Sequence, residues 1–396
     1  LFDTAAMFQE SLHRYAEEVM RPIGVVLDRM TPEQVIAQDS PYWEARRKLV
    51  ELGFGVETML SFEPEERAKM MSIFFEELGW GDSGLAISFA AAMLPMYMCA
   101  AFGRNDLLER YPESLIGCWG ITEPDHGSDS LDPNRMLFHP NGNYGRPNCV
   151  ATISGDEVII NGQKAAWVSN GTIGEVCVLF CAADTGTGPS TQNGCCLIVP
   201  MNAKGVSRGK PLDKLGQRAL NQGEIFFDNV RISKDHILAG PEQFQEAVYV
   251  IHTAANGLMG AVFTGVARAA YEMALDYAHE RKQGGVPIIR HQSVAQRLFH
   301  MFRKVEASRA LTHRVVFYNF GASPALHAGM AAKITGTQTS FEVASDALQI
   351  FGGNGLTREY PIEKLLRDAR ASLIEDGCNE ILAIKGGYYL IDPDRL

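Results

Sequence analysis

Positive charge is scarce in this 396-residue chain: 36 Lys and Arg face 47 Asp and Glu, the formal net charge is −11, and no long basic run occurs. A nucleic-acid partner, which demands a cationic stripe, is not expected. Long apolar runs are also scarce. Leu85 to Ala101 comes nearest and is broken by Ser88 and Pro95, so no membrane span is expected. The start has no basic, then apolar, then small-residue order, although Leu1 is not an initiator and residues can precede it. The expected location is cytoplasmic. Eight cysteines, at 99, 118, 149, 177, 181, 195, 196 and 378, form no C-x-x-C pair, and no histidine lies at zinc-like spacing. No metal is expected, and the thiols read as small core residues in a reducing compartment. No G-x-G-x-x-G follows a strand, so a nicotinamide held in that way is excluded. Internal repeats and low-complexity tails are absent.

What is present is 46% hydrophobic content, enough to bury the cores of two or three domains. Residues 1–115 read as helical. Phe8, Leu12, Tyr15 and Val19 recur at helical steps, as do Met70, Ile73, Phe74 and Leu78, and Pro64-Glu65-Glu66 reads as a helix start. Residues 116–238 read as an antiparallel sheet or small barrel. Val150 to Ile153, Glu157 to Ile160 and Gln163 to Val168 are set apart by Ser154-Gly155-Asp156 and by Asn161-Gly162, a strong hairpin signal, and apolar runs follow at 177–182, 196–199 and 225–232. Residues 239–396 return to the helical period. Val294, Leu298, Met301, Phe302 and Val305 mark one face, and alanine-rich runs at 267–274 and 325–332 favour close helix contacts in a four-helix bundle. The expected fold is thus α+β and multi-domain. A Pro, Asn and Gly rich stretch at 131–148 is too long for a hairpin loop; it either edges the site or is a surface excursion.

Chemistry concentrates near the end of the chain. The turn QIFGGNG at 349–355 leads into YPIEKLLRDAR at 360–370 and then into Ile374-Glu375-Asp376-Gly377-Cys378. Two adjacent carboxylates before a glycine suggest a base. This segment resembles the C-terminal signature of the acyl-CoA dehydrogenases, in which a carboxylate at the position of Asp376 removes the α-proton of a thioester. Most of that family has glutamate there, and Glu375 fills a position that is commonly apolar or tyrosine. Further motifs resemble the same family in the same order. ITEPDHGSD at 121–129 is similar to its T-E-P-x-x-G-S-D. Trp167-Val168-Ser169-Asn170-Gly171 is similar to W-I-T-N-G and follows INGQK at 160–164. RKQGGVPIIRHQ at 281–292 is similar to R-x-x-x-G-x-P-I-x-x-x-Q, with Gly284 where an aromatic residue often packs on adenine.

The resemblance implies bound FAD. Ile121, Thr122 and Gly127 would lie along its ring system, Trp167 would stack on it, and Ser169 would reach N5, being on the same strand face two residues later. Arg281 and Gln292 would hold the pyrophosphate side. Gln349, Gly352 and Gly353, with Cys378, would complete the cofactor site, Gln349 to Gly353 coming from a neighbouring subunit. That implies a homo-oligomer, a dimer of dimers. Ser128, Asp376 and Gly377 would contact an acyl-CoA or related thioester, with an electron-transfer flavoprotein as acceptor. Asp376 is the expected base and Glu375 a second candidate, a polar contact, or a surface partner of Arg370. Aspartate is about 1.5 Å shorter in reach than glutamate. The departures, including His252-Thr253-Ala254-Ala255-Asn256 in place of an acidic residue and an arginine, keep two alternatives open. One is a flavin oxidase of the nitroalkane oxidase type, and the other is a non-catalytic flavoprotein subunit of a heteromer.

Overall fold

The computed structural model describes residues 4–132, 137–138, 142, 144–190, 192–321 and 324–392. Parts of the 131–148 stretch therefore lie outside the described residues. The first region holds helices α1 (Thr4–Tyr15), α2 (Arg21–Leu27), α3 (Pro32–Val35), α4 (Pro41–Glu51), α5 (Val56–Ser61), α6 (Pro64–Gly81), α7 (Ser83–Ala101) and α8 (Asn105–Arg110). All eight apolar residues of the two stripes named above are buried. Pro64 opens α6, and Glu65 and Glu66 sit in its first turn, where the helix dipole favours negative charge. Asp82 ends α6 and caps α7 by accepting the Leu85 N–H at 2.8 Å.

The middle region holds strands β1 (Gly117–Gly120), β2 (Cys149–Ser154), β3 (Glu157–Ser169), β4 (Val176–Asp184), β5 (Gly194–Pro200), β6 (Val206–Arg208), β7 (Gln222–Ser233) and β8 (Ile237–Ala239). They form one sheet in the order β6-β7-β3-β2-β4-β5-β8, with β1 beside β4. The sheet is mixed rather than antiparallel, because β1 and β2 both run parallel to β4. Gly155-Asp156 makes the expected hairpin turn, with Ser154 opposite Glu157 and Gly155 at φ +58°. Asn161-Gly162 makes none. β3 continues through it, and the register against β7 shifts between Ile160 and Gly162. Gly162 stands at φ +115°, and a Cβ there would meet the Asn148 carbonyl oxygen at 1.9 Å, so this glycine serves a bulge and a close approach. Along β4, Cys177, Leu179 and Cys181 face one apolar cluster while Val176, Val178 and Phe180 face another. A strand covered on both faces reads as a continuous apolar run.

The last region holds α9 (Phe244–Glu280), a short hairpin of β9 (Lys282–Gln283) and β10 (Val286–Pro287), α10 (Gln292–Gly321), α11 (Leu326–Phe351), α12 (Ile362–Ser372) and α13 (Asn379–Ile391). Leu298, Met301 and Val305 turn inward, whereas Phe302 is 42% exposed and does not belong to the core face. The N-terminal helices and this bundle share one apolar core. α6 crosses α9 where glycines let backbones meet: a Cβ at Gly79 would lie 1.9 Å from the Val262 carbonyl oxygen, and one at Gly265 would lie 2.0 Å from that of Glu76. Beside this crossing, Arg268 bonds Glu76 at 2.8 Å and Glu77 at 2.5 Å, while Arg309 and His313 also bond Glu76. By length and composition α7 and α9 could each cross a membrane, and α7 runs unbroken through Pro95. Both pack inside the fold, with 61% and 89% of their most apolar windows buried.

Candidate active site

The base loop lies between α12 and α13. Its backbone is unusual, with Asp376 at φ +52° and Gly377 at φ +87°. A non-glycine residue in this left-handed region costs about 1 kcal/mol or more and must be held by its surroundings. Five hydrogen bonds hold it. Asn256 on α9 donates to the Asp376 carbonyl at 3.2 Å. Lys333 on α11, with no solvent exposure, donates to the Gly377 carbonyl at 2.9 Å and to Asn379 Oδ1 at 2.8 Å. The Asn379 N–H reaches back to the Leu373 carbonyl at 3.1 Å. Cys378 donates its N–H to Ser128 Oγ at 3.3 Å, which ties the G-S-D motif to this loop.

The two carboxylates have different settings. Asp376 is half-buried and lines a cavity. Burial pushes its carboxyl up to about 6, and the nearby Lys333 ammonium opposes that rise. Glu375 is pushed up to about 7, first by burial and then by Asp376; Gln217, Lys333 and Lys214 act against it. Gln217 Nε2 donates to Glu375 Oε1 at 2.5 Å, and the alternative pair of Glu375 with Arg370 is not found among the described residues. Gln217, itself at φ +50°, lies beside α12, its N–H donating to the Asp368 carboxylate at 2.5 Å. Burial in turn lowers Lys333 and Lys214 to about 8.

The cavity beside Asp376 is about 120 Å³ and mostly apolar, walled by α6, α7 and α9. That is comparable to an engineered apolar cavity of about 150 Å³ that admits benzene. Trp119 and Ser169 line it from the sheet side, so the structure brings Ser169 and Asp376 to one space. Two residues before Ser169, the Trp167 ring is 59% exposed, open to a planar partner. Gln222 donates to the Ser169 hydroxyl at 3.4 Å and to the Trp167 carbonyl at 3.3 Å, which steadies the end of β3.

The T-E-P loop is held by a lysine that the sequence motifs contain but do not explain. Lys164 is fully buried in β3 and donates to Glu123 Oε1 at 2.6 Å and to the Ile121 carbonyl at 3.1 Å. The other Glu123 oxygen accepts the Asn148 N–H at 2.6 Å, and the Ala165 N–H bonds the Thr122 carbonyl at 2.9 Å. Ile121 and Thr122 are thereby fixed against the strand that carries Trp167. Nothing lies within 4 Å of a Cβ built on Gly127, leaving room for a ligand.

The remaining cofactor candidates gather elsewhere. Arg281 ends α9 and Gln292 starts α10, joined by the β9–β10 hairpin, whose turn takes Gly284 at φ +64° and Gly285 at φ +84°. A side chain at 284 would be strained there, which accounts for glycine at that position. The Arg281 guanidinium is exposed and makes no ion pair among the described residues. Gln349 and the Gly352-Gly353 turn end α11 at the same end of the bundle, since Tyr277 stacks on Phe351 at 4.1 Å and bonds Asn354 at 2.8 Å. Cβ atoms on Gly352 and Gly353 would also meet nothing within 4 Å. Helix α12 starts beside this turn and ends near Asp376, and its 11 residues span about 16 Å. Within one chain, Arg281, Gln292, Gln349, Gly352 and Gly353 therefore gather at the far end of α12 from Asp376. The open Trp167 face, the unpaired Arg281 and the bare glycine turns fit a long dinucleotide whose ends lie far apart.

Residues 118–230 match the family described as acyl-CoA dehydrogenase, middle domain, and residues 254–385 match acyl-CoA dehydrogenase, C-terminal domain. An acyl-CoA dehydrogenase of Bacillus subtilis (strain 168) is 31% identical over 297 residues, covering 73% of each chain. The mitochondrial short-chain specific acyl-CoA dehydrogenase of Bos taurus is 27% identical, covering 99% of this chain and 91% of its own. Among solved structures, butyryl-CoA dehydrogenase from Megasphaera elsdenii is similar with a TM-score of 0.85 at 24% identity, covering 99% of both chains.

Proposed function

Because this chain belongs to the acyl-CoA dehydrogenase family, we propose that it is an FAD-dependent oxidoreductase in which Asp376 starts the α,β-dehydrogenation of an acyl thioester. The observation that carries the assignment is a carboxylate raised to about 6 that opens, with Ser169, onto one apolar cavity. FAD, when bound, accepts the β-hydrogen as hydride. Asp376 takes the α-proton, and a base with its pKa near the working pH is both ionised and strong enough to do so. The Asp376 N–H is a donor for the thioester carbonyl, which acidifies that proton. Ser169 and Trp167 would hold the reactive ring from the sheet side, with Ile121, Thr122, Gly127, Ser128 and Cys378 along its edge. Arg281, Gln292, Gln349, Gly352 and Gly353 would hold the far end of the cofactor, from a neighbouring subunit.

The finer assignments follow from the same reading. A homo-oligomer, arranged as a dimer of dimers, is supported by the division of candidate residues and by exposed Phe299, Phe302, Phe317 and Tyr318 on α10. A cytoplasmic setting is supported by eight free thiols, and an electron-transfer flavoprotein is the proposed acceptor. The test is an anaerobic titration of the FAD-loaded protein with acyl-CoA thioesters of graded length. Bleaching by a thioester, abolished in Asp376→Asn, is the expected result. A colourless protein that refuses FAD would refute the proposal, and rapid turnover on oxygen with peroxide release would replace the dehydrogenase with an oxidase.

A further inference from the structure

The acyl cavity has a polar feature that proton abstraction does not use. Arg67 enters its wall from the first turns of α6, among Leu60, Met71 and Phe74. The Arg67 Nε is buried and has no hydrogen-bond partner, and no ion pair to this guanidinium exists among the described residues. Tyr97 on α7 lines the same cavity. Burial pushes its hydroxyl up to about 12, with Arg67 acting in the opposite direction, so the phenol stays a donor at neutral pH. A purely hydrocarbon chain would leave the buried Arg67 Nε without a partner, which is costly. An anionic, two-oxygen group satisfies it, since guanidinium and carboxylate match two bonds to two.

We propose that the acyl group carries a carboxylate on the end away from the thioester, bound by Arg67 with the Tyr97 hydroxyl as an added donor. The substrate class is then the mono-thioester of a dicarboxylic acid. This rests on the dehydrogenase reading. Asp376 feels burial and Lys333 rather than Arg67, so the anion site and the base are separate parts of the cavity.

The experiment compares two series on the FAD-loaded protein: mono-CoA thioesters of dicarboxylic acids, and methyl-ended acyl-CoA thioesters of equal length. Wild type is expected to prefer the carboxylate series by at least about 100-fold in kcat/KM, because a site built for a polar group rejects the analogue lacking it. Arg67→Met should collapse that ratio about 100-fold or more, and Tyr97→Phe about tenfold, with flavin content as the folding control. Arg67→Lys, which keeps the charge without the fork, should retain part of the preference. Equal use of both series by wild type would overturn the inference while leaving the dehydrogenase intact. So would an Arg67→Met loss that is the same for both series, since it would assign Arg67 to a phosphate of the carrier. Flavin bleaching by neither series would overturn both readings.

Discussion

Replacing Lys333 tests whether the electrostatics around Asp376 set its working pH. Lys333 is fully buried, neighbours Asp376, and opposes the rise that burial imposes on that carboxyl. With a pKa of about 6, roughly nine-tenths of Asp376 is ionised at pH 7. An opposite charge within about 4–6 Å is worth roughly 1–3 units to a carboxylate. In Lys333→Met the pKa of Asp376 should therefore climb by that amount, and the ionised fraction at pH 7 should fall to between about one half and about one in a hundred. The assay is the pH profile of kcat/KM for a fast thioester. The acid limb should move upward by about 1–3 units, with most activity recovered near pH 9–10, and Lys333→Arg should move it far less. In wild type the charge on Lys333 fades above about 8, where Asp376 is already ionised, so no second limb arises from this pair. An unmoved acid limb in Lys333→Met, or activity lost equally at every pH, would refute the reasoning. The second outcome would make Lys333 a support for the Gly377 carbonyl and Asn379 only.

Asp376→Asn should lower kcat by several orders of magnitude, whereas Glu375→Gln, which keeps a partner for Gln217, should cost about tenfold or less in steady-state assays; the reverse order would give the base to Glu375. Arg268→Leu strands Glu76 and Glu77 inside the protein and should cost about 3–5 kcal/mol in urea unfolding. Burial works against the charge on Glu76, but His313, Arg268 and Arg309 more than offset it and bring its pKa from 4.5 down to about 2. A depressed folded pKa gives stability that is whole above about 4.5 and drains as pH falls toward 2, a loss of roughly 3 kcal/mol visible as a falling Tm. Gly162→Ala should destabilise measurably, by about 1–3 kcal/mol, through its positive φ and the Asn148 carbonyl; an unchanged Tm would deny the bulge its constraint.

The order of helical, strand and helical regions was legible from periodicity because burial on one face imposes a repeat of 3.6 or 2 on the residues that meet the core. Phe8 to Val19 and Met70 to Leu78 show that repeat and are buried. The Asn161-Gly162 reading failed because a glycine that permits positive φ serves a bulge as well as a turn, and only the strand pairing distinguishes them. Phe302 failed because a helix period locates a stripe but not its edges. Parallel pairing of β1 and β2 with β4 is a long-range choice with no local signature.

The site divides the same way. Short motifs singled out Asp376, Ser169, Trp167 and the T-E-P loop as candidates, because each motif sets particular residue types at fixed local spacing, and the structure brings Ser169 and Asp376 to one cavity. The residues that tune them did not stand out: Lys333 sits 43 positions before Asp376, Asn256 lies 120 before it and Gln217 158 before Glu375. By itself, the order of residues determined which groups are candidates for the proposed reaction. Only packing decided that Asp376 faces an apolar cavity, that Lys333 restrains its pKa, and that Arg67 shares the wall. Burial and Coulomb interactions depend on distance through space, and folding brings to within a few ångströms what the chain separates by dozens of residues.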